Sequence, residues 1–416
     1  MTSRERRPGA PHLRAALAYV FPEGFILAAG VAYTHSRSLQ DALGAFEDFY
    51  PYAMLGAGLL LGWRFHRSRL LFALLLLLIA QRVLTHLATG HGLGRDHVLY
   101  QAIGVLLPLN LAALSLTAER GFITPPGLVR QGTILVQVLL VSLLDNSAPA
   151  ATAALLHLRL MPQKLFAWTP LADPALLAFL VALGLLIAGQ LLAPNATGRS
   201  FIWATVAAFL GLTALRPGNP DGMTFYVATS ALILIVAVIE ASYYMAYQDS
   251  LTGLPARRAL SEALLRLVGQ YTVAMVDVDH FKKINDRHGH DVGDQVLKMI
   301  ASRLAGVSGG GQAFRYGGEE FAVLFPGKTA EECVSDLEAL RQTVEDAHFI
   351  LRSKIRARRR PEKILAEKGP GKRVPVTVSI GVAAKNHRYS KSDQVIKAAD
   401  RALYRAKEGG RNQVQL

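Results

Sequence analysis

The chain holds a single cysteine, Cys333, so no disulfide can form within it. Cys333 falls in an amphipathic helical pattern, where it reads as a packing residue rather than a nucleophile. Acidic residues are outnumbered, 31 against 45 basic ones, for a formal charge of +14. That sign raises nucleic-acid binding, yet the arginines flank apolar runs or crowd into one loop, with no interleaved aromatic platform for bases. No nucleic-acid partner is expected. Charged residues are scarce overall, at 18%, while 51% of the chain is apolar, concentrated before residue 246. That half reads as an α-helical, multi-span membrane domain. The histidines near its loops, His35, His86, His91 and His97, have spacings that match no defined metal site.

Apolar runs occur at about 15–34, 50–64, 69–88, 98–118, 128–145, 174–193, 200–215 and 223–246, each near bilayer-crossing length, with 50–64 and 200–215 short. Eight spans is the count, six or seven the alternatives. Residues 1–14 carry Arg4, Arg6, Arg7 and Arg14. Pro22, Glu23 and the later spans favour an uncleaved first helix over a signal peptide. With a cytoplasmic N-terminus, Arg64, Arg67, Arg69, Arg120, Arg130 and Arg199 fall on inner loops, and the acidic loop with Asp41, Glu47 and Asp48 lies outside. This obeys the positive-inside rule and returns the C-terminal half to the cytoplasm.

Glu23, Arg82, Asn110, Asp145, Gln190 and Glu240 are polar groups in or beside spans, where such groups mark a pathway or ligand site. Arg82 and Asp145 read as snorkelling; Glu23, next to a proline, is the first to mutate. Residues 231–248 contain neither proline nor glycine, so a continuous helix can connect the last span, through 237–250, to the C-terminal half.

That C-terminal half carries the chemistry. Thr272–Asp279 reads as a buried strand ending in Asp277 and Asp279. Gln312–Tyr316 and Phe321–Phe325 read as a hairpin across Gly317 and Gly318, a tight turn that tolerates positive φ, with Glu319 and Glu320 just past it. Carboxylates at a strand end beside carboxylates at a hairpin end are how a palm-type nucleotidyl transferase holds divalent metal.

Residues 249–416 resemble the GGDEF family of diguanylate cyclases. The shared motifs are Asp249-Ser-Leu-Thr-Gly-Leu254, the strand with Asp277, the signature as Gly317-Gly318-Glu319-Glu320-Phe321, and Lys407-x-x-Gly-Arg411-Asn412. Ala256 stands where the family has Asn, which weakens one turn contact. The resemblance implies an α/β (α+β) domain of nucleotidyl-cyclase palm type, in which a mostly antiparallel sheet is flanked by helices. It implies condensation of two GTP molecules to cyclic di-GMP and pyrophosphate by a homodimer. Together with the apolar spans, the chain reads as a multi-pass protein of the bacterial inner membrane. Mg²⁺, or Mn²⁺, would be held by Asp277, the Val278 carbonyl, Glu319 and Glu320. Glu319 is the implied essential acid; which carboxylate takes the proton stays open. Asn285 and Asp294, with His290 nearby, match the guanine-reading residues. The amides of Phe281 and Lys282, together with Lys407 and Arg411, match the phosphate contacts. Structural roles suit Asp279 and Asp286.

Many family members carry an inhibitory Arg-x-x-Asp product site upstream of the signature. Ser308-Gly309-Gly310-Gly311 occupies those positions, so no feedback through that site is expected. Between helix and strand lies a basic insertion, 352–373, read as a solvated loop, with contact to anionic lipid as the alternative. The chain ends shortly after Gln413, so no phosphodiesterase domain is expected. The sensed ligand is not written in the membrane half. The rival readings are a silent GTP-binding signalling module and a transporter with a regulatory domain.

Overall fold

The computed structural model describes residues 21–89, 98–162, 169–216, 219–347, 349–350 and 373–416. The basic N-terminus 1–14, the start of the first apolar run, His91, His97 and residues 352–372 of the basic insertion lie outside them. The chain divides into two compact units, Met1–Ser242 and Tyr243–Leu416.

The first unit is helical: Glu23–His35, Arg37–Arg64, Ser68–Thr89, Val98–Leu116, Pro125–Ser147, the short Pro149–Leu156, Asp173–Leu192, Ala196–Ala214 and Asp221–Tyr247. A helix overlies each of the expected apolar runs. Five of them, Ser68–Thr89, Val98–Leu116, Pro125–Ser147, Asp173–Leu192 and Asp221–Tyr247, are long and apolar enough to cross a membrane. Arg37–Arg64 is two helical pieces joined at Leu43 (φ −117°, ψ 17°), with Pro51 inside the second. Starts follow local chemistry. Thr124 and Asn195 accept the amides of Gly127 and Gly198 at the heads of their helices, sparing donors that have no intrahelical partner.

Phe72, Leu77, Leu111, Phe201 and Ile233 fill the interior of this unit. Pro125–Ser147, by contrast, buries only Gly127 and Ile134 and leaves Leu135, Leu139 and Leu143 exposed. One polar network crosses the interior. Glu23, with no exposed surface, accepts from Arg199 Nε at 3.0 and 2.9 Å and from Ser200 Oγ at 2.6 Å. Arg199 Nη2 donates to Glu240 Oε2 at 2.6 Å, so three helices share one guanidinium. Of the polar residues singled out in the spans, Asn110 donates to Gln137 Oε1 at 2.9 Å, and Gln190 accepts from the Asn195 amide at 3.2 Å.

The second unit is built on seven strands: β1 Tyr271–Val278, β2 Gln312–Arg315, β3 Glu320–Pro326, β4 Phe349–Ile350, β5 Arg373–Val374, β6 Val378–Ala384 and β7 Val414–Gln415. Five form one sheet in the order β2-β3-β1-β6-β7, antiparallel except for β6–β7; β4 and β5 pair separately. This is the expected mostly antiparallel architecture. β1 is central, and all eight of its residues are buried because helices cover both faces. Ala274, Val276 and Val278 pack towards the helices His290–Leu304 and Ala330–Glu345. Val273 and Met275 pack on the other side, towards Arg257–Arg266 and Ser392–Glu408. Cys333 is fully buried on its helix, its thiol donates to Thr329 O, and burial pushes it up to about 11, consistent with packing rather than nucleophilic duty.

Candidate active site

The site forms where β1 ends. Register sets Asp277 opposite Glu320 of β3 on one side and Ser379 of β6 on the other. The Val278 amide donates to Glu319 O at 3.3 Å, so the main chain ties the last two residues of β1 to the signature carboxylates. The turn between β2 and β3 is closed by the amides of Tyr316 and Gly317, which both donate to Glu320 O, at 2.9 and 3.1 Å.

Neither Gly317 nor Gly318 has positive φ, which corrects the conformational reason expected for them. A Cβ at Gly317 would stand 2.8 Å from Glu320 Oε2, the mobile tip of that side chain, so it would push the carboxylate aside rather than break the turn, and one at Gly318 would meet nothing. Arg315 braces the turn from outside. Its Nε and Nη2 donate to the carbonyls of Gly317 (3.1 Å) and Gly318 (2.7 Å), and its Nη1 to Asp249 Oδ1 (2.6 Å). Sequence reasoning passed over this role of Arg315. Its signal was an arginine directly beside a glycine turn full of carbonyls.

Asp277 is only 4% exposed, and Lys407 Nζ lies 2.8 Å from its Oδ2. Burial pushes the Asp277 carboxyl above the usual range; the Lys407 ammonium opposes this, and the neighbouring Asp279 adds to it. Burial also raises Glu319, reinforced by the charges of Asp277 and Glu320 and opposed by Lys407. Negative charge is therefore concentrated here beyond what one ammonium offsets. Hard oxygen donors under mutual repulsion suit a divalent cation, and Lys407 is the cation that Asp277 takes in this structure. Among the described residues no three His, Cys, Asp or Glu side chains are gathered into a ready metal cluster.

His280 stands in the left-handed region (φ 57°) and precedes the helix Phe281–His288, whose first amides no side chain caps. Phe281 and Lys282 thus head an open helix N-terminus. Lys407, bonded to Asp277, and Arg411, which is exposed with φ 67° and whose charge acts on Asp277, bring positive charge to the same site.

Asn285 lies on Phe281–His288, packed against His290–Leu304. Its Oδ1 is buried without any hydrogen-bond partner. Gly293 faces it closely enough that a Cβ there would overlap Oδ1. An orphaned amide oxygen beside a glycine wall is an acceptor in want of an N–H donor. Asp294 and His290 are exposed on the facing helix, and neither side chain makes a hydrogen bond or ion pair among the described residues.

Asp279, 5% exposed, accepts from Thr377 Oγ1 and Ser379 Oγ, both at 2.7 Å, and from the Asn412 amide at 3.1 Å, a structural role. Asp286 is exposed. At Ser308–Gly311, Ser308 Oγ donates to Asp336 Oδ1 at 2.6 Å and Lys328 Nζ pairs with Asp336 Oδ2 at 3.0 Å. Ala256 heads its helix with no side-chain cap.

Residues 246–413 match the family model described as diguanylate cyclase, GGDEF domain. Among curated relatives, the diguanylate cyclase DgcP of Pseudomonas aeruginosa is 36% identical, over 43% of this chain and 25% of its own length. The response regulator PleD of Caulobacter vibrioides is 35% identical, over 42% of this chain and 37% of its own. The chain thus spans less than half the length of these relatives. Among solved structures, the GGDEF domain of DgcB from Caulobacter crescentus, in complex with c-di-GMP, is 34% identical, over 41% of this chain and 95% of that one, with a TM-score of 0.35.

Proposed function

Residues 246–413 belong to the GGDEF diguanylate cyclase family, and from that premise we propose that this chain is a membrane-anchored enzyme that condenses two GTP molecules to cyclic di-GMP. In each half-reaction a ribose hydroxyl forms a new bond to the α-phosphorus of the other nucleotide, the α–β phosphoanhydride breaks, and pyrophosphate leaves. The observation that carries the reading is the placement of Asp277 opposite Glu320 at the end of β1, with Glu319 adjoining, where burial raises Asp277 and Glu319 and the Asp277 and Glu320 charges raise Glu319 further.

Asp277, the Val278 carbonyl, Glu319 and Glu320 would hold Mg²⁺, or Mn²⁺, which when bound offsets phosphate charge and acidifies the hydroxyl. The chain's own groups do the rest. The open amides of Phe281 and Lys282 receive phosphate oxygens. Lys407 exchanges Asp277 for the terminal phosphates, beside Arg411. Asn285 Oδ1 accepts an N–H of guanine, and Asp294, with His290 near, completes a reading that adenine cannot satisfy. Glu319, raised in pKa, is suited to accept the hydroxyl proton.

Two nucleotides must meet head to tail, so the active form is a homodimer. The apolar helices of the first unit, with leucines exposed along Pro125–Ser147, support anchorage in the cell membrane, catalytic unit inside. A sensed ligand would act through Asp221–Tyr247. The alternative, a silent GTP-binding module, has one observation in its favour, the Lys407–Asp277 bond that neutralises a metal ligand.

Purified protein incubated with GTP and Mg²⁺, beside a Glu319→Gln variant, tests the reading by chromatography of the nucleotides. Cyclic di-GMP from the wild type alone supports it. GTP binding without product from either, even when the protein is dimeric, favours the silent module.

A further inference from the structure

After the helix Ser392–Glu408 the chain passes through three consecutive residues with positive φ: Gly410 (112°), Arg411 (67°) and Asn412 (45°). For residues with a Cβ this conformation is disfavoured and persists only where the surroundings hold it. The Arg411 amide donates to Ala406 O at 3.0 Å, so the loop curls back over the helix end, within reach of Lys407.

Asn412 is what holds it. Its amide N–H donates to Asp279 Oδ2 at 3.1 Å, its Oδ1 accepts from Arg341 Nη1 at 2.7 Å, and its Nδ2 donates to Glu345 Oε1 at 2.8 Å. Arg341 sits on Ala330–Glu345 and is 8% exposed. Its remaining bonds go to Glu338 and Glu345, one turn away on its own helix. Such intrahelical pairs contribute little and do not require a buried guanidinium. Among the described residues Asn412 is the only partner of Arg341 outside that helix. Asp279, anchored by Thr377 and Ser379, fixes the same asparagine from the β6 side.

We propose that Arg341, acting through Asn412, is a positioning residue for the triphosphate end of the nucleotide. It holds the left-handed loop that sets Arg411 at the site beside Lys407, without touching a reacting atom. The inference rests on the reading of this unit as a GTP-using one.

The test compares GTP with GMP. Both share the guanine contacts at Asn285, and only GTP reaches the loop. Binding to the intact protein in Mg²⁺ is measured by calorimetry for the wild type, Arg341→Met, Arg341→Lys and Asn412→Gly, with KM and kcat alongside. Arg341→Met is expected to weaken GTP about tenfold, the worth of a charge-assisted hydrogen bond, with GMP affinity unchanged and KM rising more than kcat falls. Arg341→Lys should recover part of the loss. Asn412→Gly keeps the backbone conformation but loses both side-chain anchors, so it should match Arg341→Met. It also carries the test if that variant fails to fold. Equal losses for GTP and GMP, or no loss in either, overturn the inference while leaving the activity standing. A wild type that binds no GTP overturns the parent reading and this inference with it.

Discussion

Arg315 and Asp249 are joined at 2.6 Å, so the turn that opens the second unit and the turn that carries its signature share one guanidinium. Asp249 also accepts the hydroxyl and amide of Thr252, at 2.7 and 2.8 Å, and the Arg315 amide donates to Pro255 O at 2.8 Å. A shift where the chain leaves Asp221–Tyr247 would therefore be felt at Gly317 and Gly318.

Asp249→Asn should lower cyclase activity more than tenfold and cost about 1–3 kcal/mol, the range for orphaning one side of a charge-assisted bond. Burial pushes Asp249 up, but the bonds from Thr252 and Arg315 outweigh it and hold the carboxyl below its usual range. A depressed carboxylate contributes stability above its unfolded value, near 3.9, and loses it as pH falls through the folded value. Thermal unfolding of wild type and variant should thus differ at pH 6 and converge towards pH 3; a gap unchanged with pH would refute the assignment.

Glu319→Gln should abolish product and yet raise the melting temperature in the presence of a chelator. Folding lifts the Glu319 carboxyl, so the folded state binds more protons, and ionisation at neutral pH costs stability. A neutral amide removes that cost. A lower melting temperature without metal would contradict it.

Gly293→Ala should weaken GTP and GMP alike, because the new methyl displaces the Asn285 amide. Asn285→Ala should leave the fold intact and reduce the preference for GTP over ATP by about 1–2 kcal/mol. Competition binding with both nucleotides reads this directly, and an unchanged preference would remove Asn285 from guanine recognition.

Arg199→Met should destabilise the first unit by about 3–5 kcal/mol, since it strands the fully buried Glu23 carboxylate. Glu240→Gln, at a side chain still 34% exposed, should cost much less. Unfolding in detergent micelles separates the two, and equal costs would argue against a shared guanidinium as the anchor.

Cyclic di-GMP added to the assay should not inhibit through the loop Ser308–Gly311. That loop offers two glycines at positive φ and a serine bonded to Asp336 in place of a charged pair. Product inhibition that Ser308→Ala relieves would show otherwise.

The sequence by itself determined the two-part division, the strand with Asp277, the hairpin around Gly317 and Gly318, and the basic motif at Lys407 and Arg411. These are local: apolar runs, a period of pairing and short spacings survive in one dimension because each depends on neighbours along the chain. Only the tertiary structure decided which side chain answers which. Lys407 reaches Asp277 across 130 residues, Arg341 reaches Asn412 across 71, and Arg199 gathers Glu23 and Glu240 from opposite ends of the first unit. It also removed positive φ as the reason for Gly317 and Gly318. Charge pairs and close approaches of this kind are set by packing between elements distant in sequence, and no spacing along the chain encodes them.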